Sequence, residues 1–468
     1  MTSRYTRFLL CTALASSIAC GEEQDAVPDA GPAQPDANVG EDESLLHIGL
    51  GTVVSDRDVE VEIPDNAIGF HVIVQSSAGG AVGIRSITGP NGELLATDYV
   101  PDQAPAPMLQ VPDGIATAII PQSSHPAAIP VSAGTWTLQF SGAGTLTASV
   151  FVRLAADGDF HGGTLDLTVY IPEGLTISDP DPEHVVSAAS AATDNAVTAR
   201  IDSFFATLEE LYGIGRGAVR FVGIDAEFRS VAYDQLGAVL ENTSGSGPTG
   251  AHIVFLNELT FQGNPLWGTS SGLPGTATST GHSRSGVALD ISLGFGAIAD
   301  GKTMVHELGH FAGLFHTTDP SGVYPDTLSD TPTCVNTANV LNCPDRNNIM
   351  FFAFWGASGG VDIQTSEHQR RIMHASPLYR ASDSDSDSAS ATRALARSPR
   401  DAFAAEVPSQ VEMQLFAGLC GAELQRGIAP QFSSDNADEL RRIAGDAAKP
   451  EILRQRARAA LSTTGMGR

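Results

Sequence analysis

The chain reads as a multidomain protein: an N-terminal β-sandwich, then an α/β domain, then a helical C-terminal region. Three observations predict this. Residues 45–156 run in short alternating stretches broken by Gly, Pro, Asn and Asp, with no helical period. Residues 157–380 mix near-continuous apolar runs with apolar stripes at helical spacing. Residues 401–468 set Leu440, Ile443, Ile452, Leu453 and Leu461 among charged neighbours, as a surface helix does. The 468 residues leave room for two or three domains of about 150 each. An apolar share of 42% is enough to bury a core.

In the first domain, Val59–Ile63, His71–Val74, Trp136–Phe140 and Ala148–Val152 suit strands, and Gly89-Pro90-Asn91-Gly92 is a turn. In the second, Leu165–Ile171, Val219–Ile224, His252–Leu256 and Gly286–Leu293 read as strands. Val197, Ile201, Phe204, Leu208 and Leu211 recur on one face of a helix over 194–214. A second helix covers 299–312, with Asp300 as its expected N-cap. The stretch Asp383-Ser384-Asp385-Ser386-Asp387-Ser388, within 381–400, reads as a solvated linker.

The formal net charge of −28 argues against nucleic acid and anionic membrane surfaces as partners, since both select basic patches. Residues 1–19 read as an export signal: Arg4 and Arg7 precede a short apolar run from Phe8 to Ile18. Ser17-Ile18-Ala19-Cys20 resembles a bacterial lipobox, which implies a lipid anchor on Cys20. Ordinary signal cleavage fits the same bond, so the expectation is a cell-envelope lipoprotein or a secreted protein, touching membrane only through that anchor. Residues 20–44 read as an acidic, Pro-rich tether. Export to an oxidising compartment makes Cys334 and Cys343 an expected disulfide, and leaves Cys420 as a small buried hydrophobe.

The chemistry lies in His306-Glu307-Leu308-Gly309-His310-Phe311-Ala312-Gly313-Leu314-Phe315-His316. Residues four apart share a helix face, so His306 and His310 can grip one ion. Gly313 permits a left-handed turn, and the chain then returns His316 as a third ligand. Three neutral nitrogens suit Zn²⁺ and leave a fourth position for water, whose pKa the metal lowers to about 7. Glu307 stands beside the metal as general base.

This extended motif resembles that of the metzincin metallopeptidases, over about 163–379. The family's methionine turn is matched by Asn347-Asn348-Ile349-Met350. Within that family the chain is most similar to pappalysins and related bacterial proteases. The likeness rests on Leu273–Ala277 followed by Gly286-Val287-Ala288, on the acidic stretch Asp326–Pro332, and on Cys334 and Cys343 around the approach to the methionine. One departure is Phe352, where those relatives carry a tyrosine. Asp326 and Asp330 resemble a calcium-binding loop and equally read as a solvated acidic turn. The run 133–138 resembles the end of accessory sandwich domains attached to secreted proteases. The resemblance implies an exported zinc endopeptidase acting on proteins or peptides, with Gly286–Leu293 as the cleft edge that pairs with substrate. Residues 45–156 and 401–468 are then dispensable for chemistry. The other reading is a surface-anchored binding lipoprotein whose peptidase domain is weak or inert.

Overall fold

The computed structural model describes residues 43–97, 114–123, 131–178, 183–243, 250–261, 263–278, 280–319, 326–335, 341–352, 362–381, 436–446 and 451–463. The export signal, Cys20, the linker at 383–388 and Cys420 lie outside these residues.

The first strands are β1 (Glu43–Val53), β2 (Asp58–Ile63), β3 (Ala67–Ser76), β4 (Val82–Thr88), β5 (Leu94–Thr97), β6 (Ile115–Ile120), β7 (Gly134–Gly142) and β8 (Leu146–Ala155). They form two four-stranded antiparallel sheets, in the orders β1-β8-β3-β6 and β2-β7-β4-β5. Alternation along each strand decides what lies between them. Phe70, Val72, Val74, Val150 and Val152 from one sheet share a core with Val61, Ile87, Trp136, Leu138 and Phe140 from the other. The reverse face of the β1-β8-β3-β6 sheet is covered too: His71, Ile73, Ile119 and Arg153 are all buried.

The following elements are β9 (Gly163–Pro172), β10 (Leu175–Ile177), β11 (His184–Val186), α1 (Ala188–Ala191), α2 (Asn195–Tyr212), β12 (Ile214–Ile224), β13 (Ser230–Ala232), α3 (Leu236–Glu241), β14 (Ala251–Leu256), β15 (Glu258–Phe261), β16 (Asn264–Pro265), β17 (Gly268–Ser270), β18 (Val287–Asp290), α4 (Ala297–Phe311), α5 (Glu367–Ala375) and β19 (Arg380–Ala381). The central sheet has the order β12-β9-β14-β18-β17, with β19 also on β9. Strands β12, β9, β14 and β18 are parallel to one another, while β17 is antiparallel to β18. Helices α2 and α4 cover one face against Val169, Ile253, Phe255 and Leu289. Helix α3 and its neighbours cover the other, against Tyr170, Val254 and Leu256. Strands β14 and β18 are buried along their whole length, which is why they read as near-continuous apolar runs.

Local chemistry sets the helix ends. Asp194 Oδ1 accepts from the Ala196 and Val197 amides at 2.9 and 3.1 Å, and Gly213, at φ 67°, ends α2 in the left-handed region. Asp300 is not the N-cap of α4. The helix begins earlier, after Gly296, and Asp300 is buried in its first turn. There its carboxylate accepts from Arg200 Nε at 2.7 Å and Trp267 Nε1 at 2.9 Å, joining α2, α4 and the approach to β17. The substrate-edge expectation is likewise corrected. Strand β18 is flanked by β14 and β17, so β17 is the strand at that end of the sheet.

Near the C-terminus, helices at Ala437–Gly445 and Glu451–Thr463 pack through Leu440, Ile443 and Leu461, with Phe295 against them. Among the described residues, no helix is long and apolar enough to cross a membrane.

Candidate metal centre

Helix α4 carries His306, Glu307 and His310 on its buried side, and all three have almost no exposure. The helix ends with two reversed hydrogen bonds, from the Gly313 amide to the His310 carbonyl and from the Leu314 amide to the Gly309 carbonyl, both 2.9 Å. This double closure needs a left-handed residue at Gly313, whose φ is 105°. The turn redirects the chain so that His316 comes back under the helix. Its imidazole Nε2 stands 3.1 Å from His306 Nε2 and 3.0 Å from His310 Nε2.

Two backbone carbonyls set which nitrogen faces inward. His306 Nδ1 donates to the Ile349 carbonyl at 2.5 Å, and His310 Nδ1 donates to the Leu314 carbonyl at 2.7 Å. A ring protonated at Nδ1 carries its lone pair on Nε2, so the lone pairs of both helix histidines point toward His316. Burial, together with the neighbouring imidazoles, holds His306 and His310 well below the ordinary histidine range, and burial brings His316 down to about 4. All three are therefore neutral near pH 7, the form that ligates metal. Nitrogens held tetrahedrally at 2.0–2.1 Å from zinc stand about 3.3 Å apart, close to the spacing found. The three side chains fit a single divalent ion.

The methionine turn lies beneath this group. Asn348 Oδ1 accepts from the Met350 amide at 2.8 Å, and Asn348 Nδ2 donates to Gln369 Oε1 on α5 at 2.9 Å. Met350 is fully buried. A Cβ at Gly309 would stand 2.6 Å from its sulfur, so the methionine side chain packs directly on the helix at this glycine. The Thr317 amide donates to the Met350 carbonyl at 3.0 Å. Thr317 and Thr318 hydroxyls both donate to Asp345 Oδ2, at 2.7 and 2.5 Å. The segment that follows His316 is thereby tied to the turn on two levels. Cys334 and Cys343 form a disulfide beside it, and the Cys334 amide donates to Thr318 Oγ1 at 2.8 Å.

Glu307 faces β17. A Cβ at Gly268 would stand 2.7 Å from Glu307 Cγ and 2.9 Å from its Oε1, so the strand backbone runs directly alongside this carboxylate. Phe352 is buried with its ring 4.7 Å from that of Phe351.

Asp326 and Asp330 are apart from the histidines in role. Burial pushes the Asp326 carboxyl up to about 8, and it accepts from the Leu328 amide at 2.6 Å and Gln369 Nε2 at 3.4 Å. Asp330 accepts from the His368 amide at 2.9 Å. Neither belongs to a group of three metal-binding side chains among the described residues. Gly268, Asp345 and the two carbonyl acceptors went unread in the sequence. None carries a local pattern, apart from the position of Asp345 between Cys343 and Met350.

No family model matches this chain, and no curated protein matches it. Among solved structures it is similar to an archaemetzincin from Methanopyrus kandleri, at 15% identity and a TM-score of 0.24, over 47% of this chain and 91% of that one. It is also similar to a protein of Bacillus subtilis, at 16% identity and a TM-score of 0.15, over 43% of this chain and 46% of that one. What the structure itself shows is a group of three buried histidines, His306, His310 and His316, that can hold one metal ion.

Proposed function

We propose that this protein is an exported zinc endopeptidase of the metzincin type, nearest to the pappalysin-like proteases, that hydrolyses peptide bonds in proteins or peptides. One observation carries the reading. His316 Nε2 stands 3.1 Å from His306 Nε2 and 3.0 Å from His310 Nε2, while Glu307 lies buried on the same helix as the first two histidines, next to a sheet edge. The architecture proposed with it is an N-terminal β-sandwich, the peptidase domain and a helical C-terminal region. Cys20 is the proposed lipid anchor of a cell-envelope form.

In this reading zinc, when bound, supplies a Lewis acid that acidifies water and polarises the scissile carbonyl. The chain's own residues do the rest. His306 and His310 are kept in the ligating tautomer by the Ile349 and Leu314 carbonyls. Glu307 takes a proton from the attacking water and delivers it to the leaving amine. Strand β17 offers its backbone to an extended peptide, which would align antiparallel or parallel to it by main-chain hydrogen bonds. Calcium at Asp326 and Asp330 is not needed for any of these steps.

The test is paired. Purified protein should carry about one zinc per chain, and His310→Ala should lose it. Glu307→Ala should keep the zinc while turnover of a quenched protein substrate falls by roughly 10²–10⁴-fold. Full zinc in His310→Ala, or near wild-type cleavage by Glu307→Ala, would refute the assignment.

A further inference from the structure

Strand β6 reaches the turn that delivers His316. Ile119 projects from the β6 face opposite the N-terminal core and is 1% exposed. It belongs to the apolar cluster that contains Phe311, Ala312 and Leu314. A Cβ at Gly313 would stand 2.5 Å from Ile119 Cγ2, so the isoleucine rests directly on the glycine of the turn. Two residues earlier on the same face, Thr117 Oγ1 donates to the Pro274 carbonyl at 2.6 Å. The next residue, Gly275, donates its amide to the Phe311 carbonyl at 2.9 Å, closing an otherwise open carbonyl at the end of α4. Just past β6, the Ser123 carbonyl accepts from the Thr327 amide at 3.1 Å. The neighbouring Asp326 amide donates to the carbonyl of His316 itself at 2.8 Å. One strand therefore braces the turn from three directions.

The docking around it is specific. Arg153, buried on β8, donates to the Ser376 and Tyr379 carbonyls at 3.2 and 2.7 Å and lies over the Tyr379 ring at 4.1 Å. At Gly69 on β3 a Cβ would come within 2.2 Å of Ala375 Cβ on α5. These contacts seat the sheet that carries β6 against α5 and the segment that follows it.

We propose that β6 is a positioning element of the metal centre, with Ile119 and Thr117 fixing the Gly313 turn that presents His316. This runs against the expectation that residues 45–156 are dispensable for chemistry. It makes the first two sheets part of the centre's outer support. The zinc side of the inference rests on the proposed function, whereas the backbone side does not.

The experiment uses the full mature chain with Ile119→Ala, the conservative Ile119→Val, and Val72→Ala as a control that truncates the opposite, core-facing side of the same sheet. Two readouts are taken. One is amide hydrogen exchange across residues 313–317 in chelator-treated protein. The other is zinc affinity by chelator competition. Ile119→Ala should speed exchange at the turn and weaken zinc binding by roughly tenfold. Ile119→Val should recover most of both, and Val72→Ala should lower the melting temperature yet leave both within about twofold. Equal effects from Ile119→Ala and Val72→Ala, or none from either, would overturn the proposal. If Ile119→Ala does not fold, the near-isosteric Thr117→Val serves instead. Faster exchange at Gly275 and across 313–317 supports the brace and unchanged exchange overturns it. A wild-type chain that binds no zinc would sink the peptidase reading alone, because exchange at the turn still decides the positioning role.

Discussion

The carbonyl of Ile349, in the methionine turn, receives the Nδ1 proton of His306 at 2.5 Å. A loop 43 residues away in sequence thus decides which nitrogen of the first histidine faces the metal position. The turn's own shape depends on Asn348, which holds the Met350 amide and Gln369. Asn348→Ala should therefore weaken zinc binding by roughly 10–100-fold with the three ligands untouched. Chelator competition measures this, and an unchanged affinity would show that the turn holds its shape without that side chain.

If Glu307 is the base, as proposed, Gly268→Ala separates its positioning from metal binding. The new methyl would meet Glu307 at Cγ, so the carboxylate must move or the strand must retreat. Turnover should fall by roughly 10²-fold while zinc content stays at the wild-type level. A variant that cleaves normally would place the base somewhere other than beside β17.

The Arg200–Asp300 pair is fully buried and also holds Trp267. Removing one partner strands the other charge in the interior. Asp300→Ala should cost about 3–5 kcal/mol of stability, read from urea midpoints. A loss below about 1 kcal/mol would mean that water reaches the pair.

His71 lies on β3 between Phe151 of β8 and Ile119 of β6, and its two ring nitrogens have no hydrogen-bond partner among the described residues. Burial lowers its pKa from 6.5 to about 3. The folded state therefore favours the neutral ring. Its contribution is intact above pH 6.5 and is lost as pH falls from there toward 3, by about 1.4 kcal/mol per unit. His71→Leu should flatten the acid side of the stability–pH curve relative to the wild type, with both proteins metal-free. Parallel curves for the two would mean that the ring is not desolvated.

Some of this molecule is legible one element at a time. The stripe Val197, Ile201, Phe204, Leu208 and Leu211 follows helical geometry, and α2 runs from Asn195 to Tyr212 with Asp194 and Gly213 at its ends. The spacing of His306, His310, Gly313 and His316 works the same way. A helix puts residues four apart on one face, and a glycine just past its end permits the reversal. Cys334 and Cys343, nine apart, pair within one loop. These features depend on chain geometry over a few residues, so composition and spacing carry them.

Other features exist only after distant segments meet. Gly286–Leu293 looks like a rim strand, yet only Val287–Asp290 is strand and it lies inside the sheet, because sheet order is set by which edges pair and not by any one strand's pattern. The three-residue β17 has no alternation to announce it, but its glycine lets it lie against Glu307. Asp300 has the look of a helix cap and is instead the acceptor for Arg200, a partner 100 residues away. Ile119 looks like one more strand residue until the sheet's second face is covered and the side chain comes to rest on Gly313. Spacing along the chain named the three histidines. Tertiary packing chose the tautomer of His306, the strand beside Glu307 and the contact of Ile119 on the Gly313 turn, because each joins segments whose separation no local period records.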